Sequence, residues 1–177
     1  MQAWIGLGAN LGDAQRAIVE ALAEIDRLDR TRLVRVSSLY RSAPVDARGP
    51  DFLNAVAAIE TALQPEALLD ELQAIERAHG RERSVRNAPR TLDLDLLAWD
   101  ELSLAQPRLT IPHPRMHERA FVLAPLAEIA PGLRLPGLAP LDELLAACTG
   151  QRIDRVAPAD AVLSMVRGAG VQREAPR

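Results

Sequence analysis

The chain has 177 residues and a mass of 19.2 kDa, the size of one ordinary domain that buries a core without metal or disulfide staples. It is 48% hydrophobic and 25% charged, which places it among globular chains, and its formal charge of −3 excludes a global field for nucleic acid, so any anion-binding surface must be local. The single cysteine, Cys148, excludes an internal disulfide. No Cys and His spacing describes a zinc site, and neither an export signal nor a membrane span is present, so a cytoplasmic protein acting without membrane or nucleic acid is expected.

In chain order, the apolar run from Ala3 to Leu7 predicts a strand that Gly8 to Gly12 breaks, with Asp13 placed as the N-cap of a helix. Ile18, Leu22 and Ile25 recur at helical spacing and give that helix one apolar stripe. Gly6, Gly8 and Gly12 do not match the spacing of a dinucleotide loop and predict a tight strand-to-helix turn. Leu33 to Tyr40, rich in β-branched and aromatic residues, predicts a second strand, and Ser42 to Asp51 a loop. Phe52 to Thr61 predicts a third strand. Pro65 then opens a helix with Leu68, Leu72 and Ile75 on its core face, and Gly80 ends it in a left-handed conformation. Thr91 to Trp99 predicts a fourth strand. The order is βαββαβ, and the fold class predicted is α+β: a ferredoxin-like core with an antiparallel sheet and both helices on one face.

Beyond Asp100 only short additions are expected, with brief helices near Met116 to Ala124 and Pro140 to Cys148. From Ala157 onward Pro, Gly, Ala and charged residues show little periodicity. The expected organisation is one domain over residues 1–156 and a partly disordered tail over 157–177.

Chemistry gathers around the fourth strand. In Arg90-Thr-Leu-Asp-Leu-Asp-Leu-Leu97, carboxylate alternates with leucine, and alternate strand residues share a face. Leu92, Leu94 and Leu96 then face the core while Asp93 and Asp95 project together from the other side. Two adjacent carboxylates repel unless a cation intervenes, and hard oxygen ligands suit Mg²⁺, which takes one or two carboxylates and completes its shell with water and phosphate oxygens. A D-x-D pair alone is equally the solvated face of an amphipathic edge strand. Two observations favour the metal: aspartate is a poor strand former, and Arg81, Arg83, Arg86 and Arg90 lie immediately upstream against a lone Glu82, supplying forks for phosphate oxygens. All basic residues are arginine, so neither a Schiff-base nor a P-loop lysine exists.

Together these segments resemble the 6-hydroxymethyl-7,8-dihydropterin pyrophosphokinases. The resemblance rests on Gly6-Leu-Gly-Ala-Asn-Leu-Gly-Asp13, Val36-Ser-Ser-Leu-Tyr-Arg-Ser-Ala-Pro44, Asp51-Phe-Leu-Asn54, Ala88-Pro-Arg-Thr-Leu-Asp-Leu-Asp95, Leu109-Thr-Ile-Pro-His113 and Arg119-Ala-Phe121. It implies a ferredoxin-like core and transfer of diphosphate from ATP to the pterin hydroxymethyl group, with release of AMP, in folate synthesis by a monomer. It implies that Asp93 and Asp95 hold two Mg²⁺ ions and that Arg81 and Arg90 steady the phosphates. Arg83, Arg108, Thr110, His113 and Arg119 would surround the ATP, with Gln73 and Glu76, three apart on one helix, at nucleotide-contact positions. Phe52 and Phe121 would sandwich the pterin, Asn54 would offer its ring edge both a donor and an acceptor, and Ser42, Ala43 and Val45 would complete its contacts. Two departures stand out: Asn87 replaces a lid tryptophan usual in the family, and Phe52 stands where some members have tyrosine. By residue type alone His113 is either a general base or a structural histidine, and the resemblance implies a phosphate contact; His79 and His117 are surface residues and Tyr40 is core.

Two other functions fit parts of the pattern. Another Mg²⁺-dependent nucleotidyl or phosphoryl transferase would share the aspartates without needing Phe52, Asn54 and Phe121. A non-catalytic ferredoxin-like binding module would be a small-molecule regulator or an RNA reader; an RNA reader would need exposed sheet aromatics, and aromatic residues are only 3% of this chain.

Overall fold

A computed structural model of the chain describes residues 1–44, 49–80 and 91–174, with side chains up to residue 170. Strand β1 (Gln2–Ala9) is followed by helix α1 (Ala14–Ile25), β2 (Thr31–Val36), β3 (Leu39–Ser42), β4 (Phe52–Thr61), helix α2 (Pro65–Ala78) and β5 (Asp93–Trp99). The short strands β6 (Leu104–Ala105) and β7 (Thr110–Ile111), a 3-10 turn (Met116–Glu118), α3 (Ala120–Ile129), α4 (Leu141–Ala147), β8 (Ile153–Ala157) and α5 (Ala159–Glu174) complete it.

The main sheet is antiparallel at every pairing and runs β5-β1-β4-β3-β8, with β2 also paired to β4. The predicted second strand is two strands, because Ser37 and Ser38 interrupt the ladder. Ser37 Oγ accepts the Val56 N–H at 2.9 Å, and the Ser38 N–H and hydroxyl both donate to Glu128 at 3.0 and 2.7 Å. These side chains satisfy backbone and hydroxyl groups that the kink would otherwise strand in the interior.

Local chemistry explains the first two helices. Asp13 accepts the Arg16 N–H at 3.0 Å as the N-cap of α1, Pro65 opens α2, and Gly80, just past its end, has φ +78. Both present apolar stripes to one face of the sheet, where Ile18, Leu22, Ile25, Leu68 and Leu72 pack on Ile5, Ala57, Ile59, Leu94 and Leu96.

The structure enlarges one expectation. The expected short additions cover the opposite face: Met116, Val122, Leu123, Leu126 and Leu141 form a second core with Trp4, Val56, Ala58 and Leu97. Helices therefore lie on both faces. Arg155 and Ala157 pair with β3, and α5 follows. That helix buries Val162 and Val166 in the first core, and Arg27 Nη2 donates to the Gly170 carbonyl at 3.0 Å. Its weak intrinsic periodicity is offset by packing against α1.

Candidate functional site

The site is assembled by register. Across the sheet Asp93 pairs with Gly8, Gly8 with Asn54 and Asn54 with Tyr40, while Asp95 pairs with Gly6 and Gly6 with Val56. Asp93 and Asp95 alternate with buried Leu94 and Leu96, so both carboxylates emerge on the face opposite the first core. The central strand carries only hydrogen at Gly6 and Gly8. A side chain at Gly8 would stand between Asp93 and Asn54, and one at Gly6 between Asp95 and Val56. The expected turn at these two glycines is thus corrected: β1 continues through both to Ala9, and only Gly12, at φ +61, turns the chain. A short apolar run followed by glycine looks like a strand end, but cross-strand partners on both sides keep this one extended.

Over this glycine floor lies a cavity of about 140 Å³, walled by Phe52 and Asn54 from β4, Ser42 and Ala43 from the end of β3, Asp93 and Asp95 from β5, and Arg115, Arg119 and Phe121. Asn54 is buried. Its amide nitrogen donates to Ser42 Oγ at 2.9 Å and, more weakly, to the Tyr40 carbonyl at 3.4 Å. Because a carbonyl only accepts, this fixes the nitrogen toward β3 and leaves Oδ1 above Gly8, 3.5 Å from where a Cβ would sit. Asn54 thus presents an acceptor to the cavity, where the sequence suggested a donor as well.

Phe121 follows the turn that starts α3. No cap side chain comes from Arg119 itself; instead Gln151 accepts the Ala120 N–H at 2.9 Å and donates to the Glu118 carbonyl at 2.7 Å. The Arg119 guanidinium lies 5.6 Å from the Phe121 ring centre and its Nη1 is 4.0 Å from Asp95 Oδ2. Burial pulls the Arg119 pKa down, opposed by Asp95, yet arginine stays a cation at any working pH. His113 is held by its N–H on the Leu97 carbonyl at 2.8 Å, and its Nδ1 accepts the Arg115 N–H at 3.2 Å. Burial first, then Arg119, lowers its pKa to about 4, against the opposite pull of Asp93. His113 is therefore a neutral imidazole whose remaining hydrogen is on Nε2.

The donor set fits Mg²⁺. Among the described residues no three His, Cys, Asp or Glu side chains gather around a point, so a metal here could take only Asp93 and Asp95 from this set, with further positions left to water or phosphate. A zinc or calcium cage would need more protein ligands.

The sequence pattern of the 7,8-dihydro-6-hydroxymethylpterin-pyrophosphokinase family matches residues 4–131. The chain belongs to this family. It is 53% identical over 146 residues to a 2-amino-4-hydroxy-6-hydroxymethyldihydropteridine pyrophosphokinase of Pseudomonas aeruginosa, covering 82% of this chain and 90% of that protein. The protein of the same name from Haemophilus influenzae is 48% identical over 144 residues, covering 81% and 90%. Among solved structures, a Plasmodium falciparum HPPK-DHPS with pterin and p-hydroxybenzoate matches at TM-score 0.64 and 15% identity, over 82% of this chain. The chain spans only 42% of that longer protein, and the likeness is one of fold.

Within the family frame the structure gathers Ser42, Ala43, Phe52, Asn54, Asp93, Asp95, Arg119 and Phe121 around one cavity. Arg108, Thr110 and Gln73 lie outside it: Arg108 is ion-paired with Asp70 of α2, which ties the β6–β7 hairpin to that helix, and Thr110 is exposed in β7. Glu76 is 3% exposed, and its Oε1 accepts the Leu94 N–H, between the two aspartates, at 2.7 Å. Val45, Arg81, Arg83, Asn87 and Arg90 lie outside the described residues. His79 is not a surface histidine, since its side chain is 11% exposed and lies 3.4 Å from Glu24 of α1. Tyr40 donates from its hydroxyl to Glu128 at 2.9 Å. Gly6, Gly8 and Arg115 line the cavity without having been singled out for it. The period-two spacing of the glycines inside an apolar run was the available signal, whereas nothing local marks Arg115.

Proposed function

We propose that this chain transfers the terminal diphosphate of ATP to the hydroxyl of 6-hydroxymethyl-7,8-dihydropterin and releases AMP, a step of folate synthesis. The observation that carries this reading is the shared cavity: Phe52, Phe121 and the Asn54 acceptor line the same space as the Asp93 and Asp95 pair, and we read the space beside the two rings as the pterin slot. A flat heterocycle with N–H groups fits the slot, stacked on rings and hydrogen-bonded at its edge. A general phosphoryl transferase would have no use for that slot.

The hydroxyl oxygen of the pterin forms a bond to the β-phosphorus as the bond from that phosphorus to the α,β-bridging oxygen breaks. AMP leaves with the electron pair, and the hydroxyl proton passes to solvent. Asp93 and Asp95 would hold the Mg²⁺ of the nucleotide, in our reading two ions, which neutralise phosphate charge and polarise the phosphorus. Arg119, between Asp95 and the Phe121 ring, grips a phosphate oxygen, and neutral His113 donates from Nε2 without taking a proton. Arg81, Arg83, Arg90, Arg108, Thr110, Gln73, Glu76 and Val45 keep the roles the resemblance implies, with no support from the cavity itself. Catalysis here is alignment and charge stabilisation, with no protein nucleophile. We further take the β5-β1-β4-β2 order, antiparallel throughout, as a ferredoxin-like core in a monomer working in the cytoplasm. Among the described residues no helix is long and apolar enough to cross a membrane.

Purified protein given ATP, Mg²⁺ and the hydroxymethyl pterin is expected to release AMP and the pterin diphosphate. Asp93→Asn and Asp95→Asn should abolish that release while keeping the circular dichroism spectrum. ADP as the nucleotide product would replace this reading with ordinary phosphoryl transfer.

A further inference from the structure

The cavity holds a second cation that no motif accounts for. Arg115 precedes the 3-10 turn, and its backbone is held on both sides: its N–H donates to His113 Nδ1 at 3.2 Å and its carbonyl accepts the Glu118 N–H at 3.3 Å. The neighbouring Met116 is fully buried in the second core, and the His113 N–H is tied to Leu97 of β5, two residues past Asp95. The side chain therefore leaves a rigid turn anchored to the strand that bears the aspartates, and it lines the cavity with Arg119, Phe52 and Phe121.

Its own ion pair is weak. Arg115 Nε is 3.7 Å from Glu118 Oε2, three residues along, with the two side chains 39% and 57% exposed. Such a solvated pair contributes little and yields to a better-placed anion. Meanwhile the charge of Arg115 opposes protonation of His113 and acts against the Arg119 cation. Two guanidiniums thus share one wall with aspartates that a metal would neutralise, and that wall is complementary to a polyanion.

The placement selects which anion. Arg115 lies in the pterin cavity, whereas Arg108, Thr110 and Gln73 lie outside it. In the proposed reaction only the transferred diphosphate remains with the pterin after AMP leaves. We infer that Arg115 exchanges Glu118 for this diphosphate and holds it on the pterin product, making Arg115 a product-binding and transfer residue. The inference rests on the pyrophosphokinase reading above.

The test is equilibrium binding of two ligands, hydroxymethyl-dihydropterin and its diphosphate ester with Mg²⁺, to wild type, Arg115→Gln, Arg115→Lys and Glu118→Gln. Arg115→Gln should weaken the diphosphate by roughly 10- to 100-fold, the scale of one lost charge-assisted contact, and leave the alcohol within about twofold. Arg115→Lys should recover part of the loss, and Glu118→Gln, by freeing the guanidinium, should tighten the diphosphate. An Arg115→Gln protein that melts like wild type and binds both ligands like wild type overturns the inference. Equal weakening of both ligands also overturns it, because that marks a role in shaping the cavity. If wild type binds neither pterin, the failure belongs to the functional reading.

Discussion

Replacing Gly8 by alanine separates stability from function at this site. Gly8 has ordinary backbone geometry, and a Cβ there would meet Asn54 Oδ1 at 3.5 Å, the Leu53 carbonyl at 4.0 Å and Phe52 Cδ1 at 4.0 Å, all normal contacts. The folded chain need not move, and exchanging glycine for alanine in a strand reduces the entropy lost on folding, worth about 0.5–1 kcal/mol in favour of the variant. The methyl nevertheless rises about 1.5 Å from the cavity floor, beside Asn54 and Phe52. A pterin stacked there shifts by about 1 Å, which lifts its edge off Asn54 and misaligns its hydroxyl, a displacement that costs on the order of 100-fold in rate. Gly8→Ala should therefore melt at or above the wild-type temperature, bind ATP normally and lose kcat/KM for the pterin by about that factor. Gly6→Ala is the control of opposite kind. Its Cβ would come within 3.3 Å of Leu97 Cδ2, a buried side chain of the second core that must give by a few tenths of an ångström, so Gly6→Ala should melt below Gly8→Ala. The reasoning fails if Gly8→Ala turns over the pterin like wild type, or if it unfolds more readily than Gly6→Ala.

Two further outcomes follow from groups around the aspartates. Glu76→Ala leaves the buried Leu94 N–H without its 2.7 Å acceptor and should cost about 1–3 kcal/mol in urea unfolding, whereas Glu76→Gln keeps an acceptor and most of the stability; equal stability of Glu76→Ala and wild type would show that water replaces the carboxylate. His113 has a folded pKa near 4, below the usual 6.5, so between those values the unfolded chain binds more protons than the folded one. Stability from this group is complete above pH 6.5 and lost as pH falls toward 4, and His113→Gln should flatten that part of the urea midpoint against pH; an unchanged slope refutes it.

Much of the site was legible because it is local. The D-x-D alternation needs only the period of a strand to put Asp93 and Asp95 on one side, and β5 has them there. Asp13, Pro65 and Gly80 mark helix ends through their own backbone and side-chain chemistry, and all three do so in the structure. Phe52 and Asn54, two apart on β4, share a face for the same reason and meet at the cavity.

What tertiary structure alone decided are the properties conferred by distant neighbours. Gly6 and Gly8 look like a chain break until β4 and β5 pair on either side and turn them into a floor. Nothing local in α2 marks Glu76, yet α2 lies against β5 and turns it onto an edge N–H. The last residues have little amphipathic pattern of their own and become α5 only against α1. Arg115 reaches the cavity because a turn is pinned to Leu97, some eighteen residues earlier in the chain. Sequence periodicity specifies which side of an element a residue takes; which other element meets that side is settled by packing between segments far apart in the chain, and one strand or helix carries no record of it.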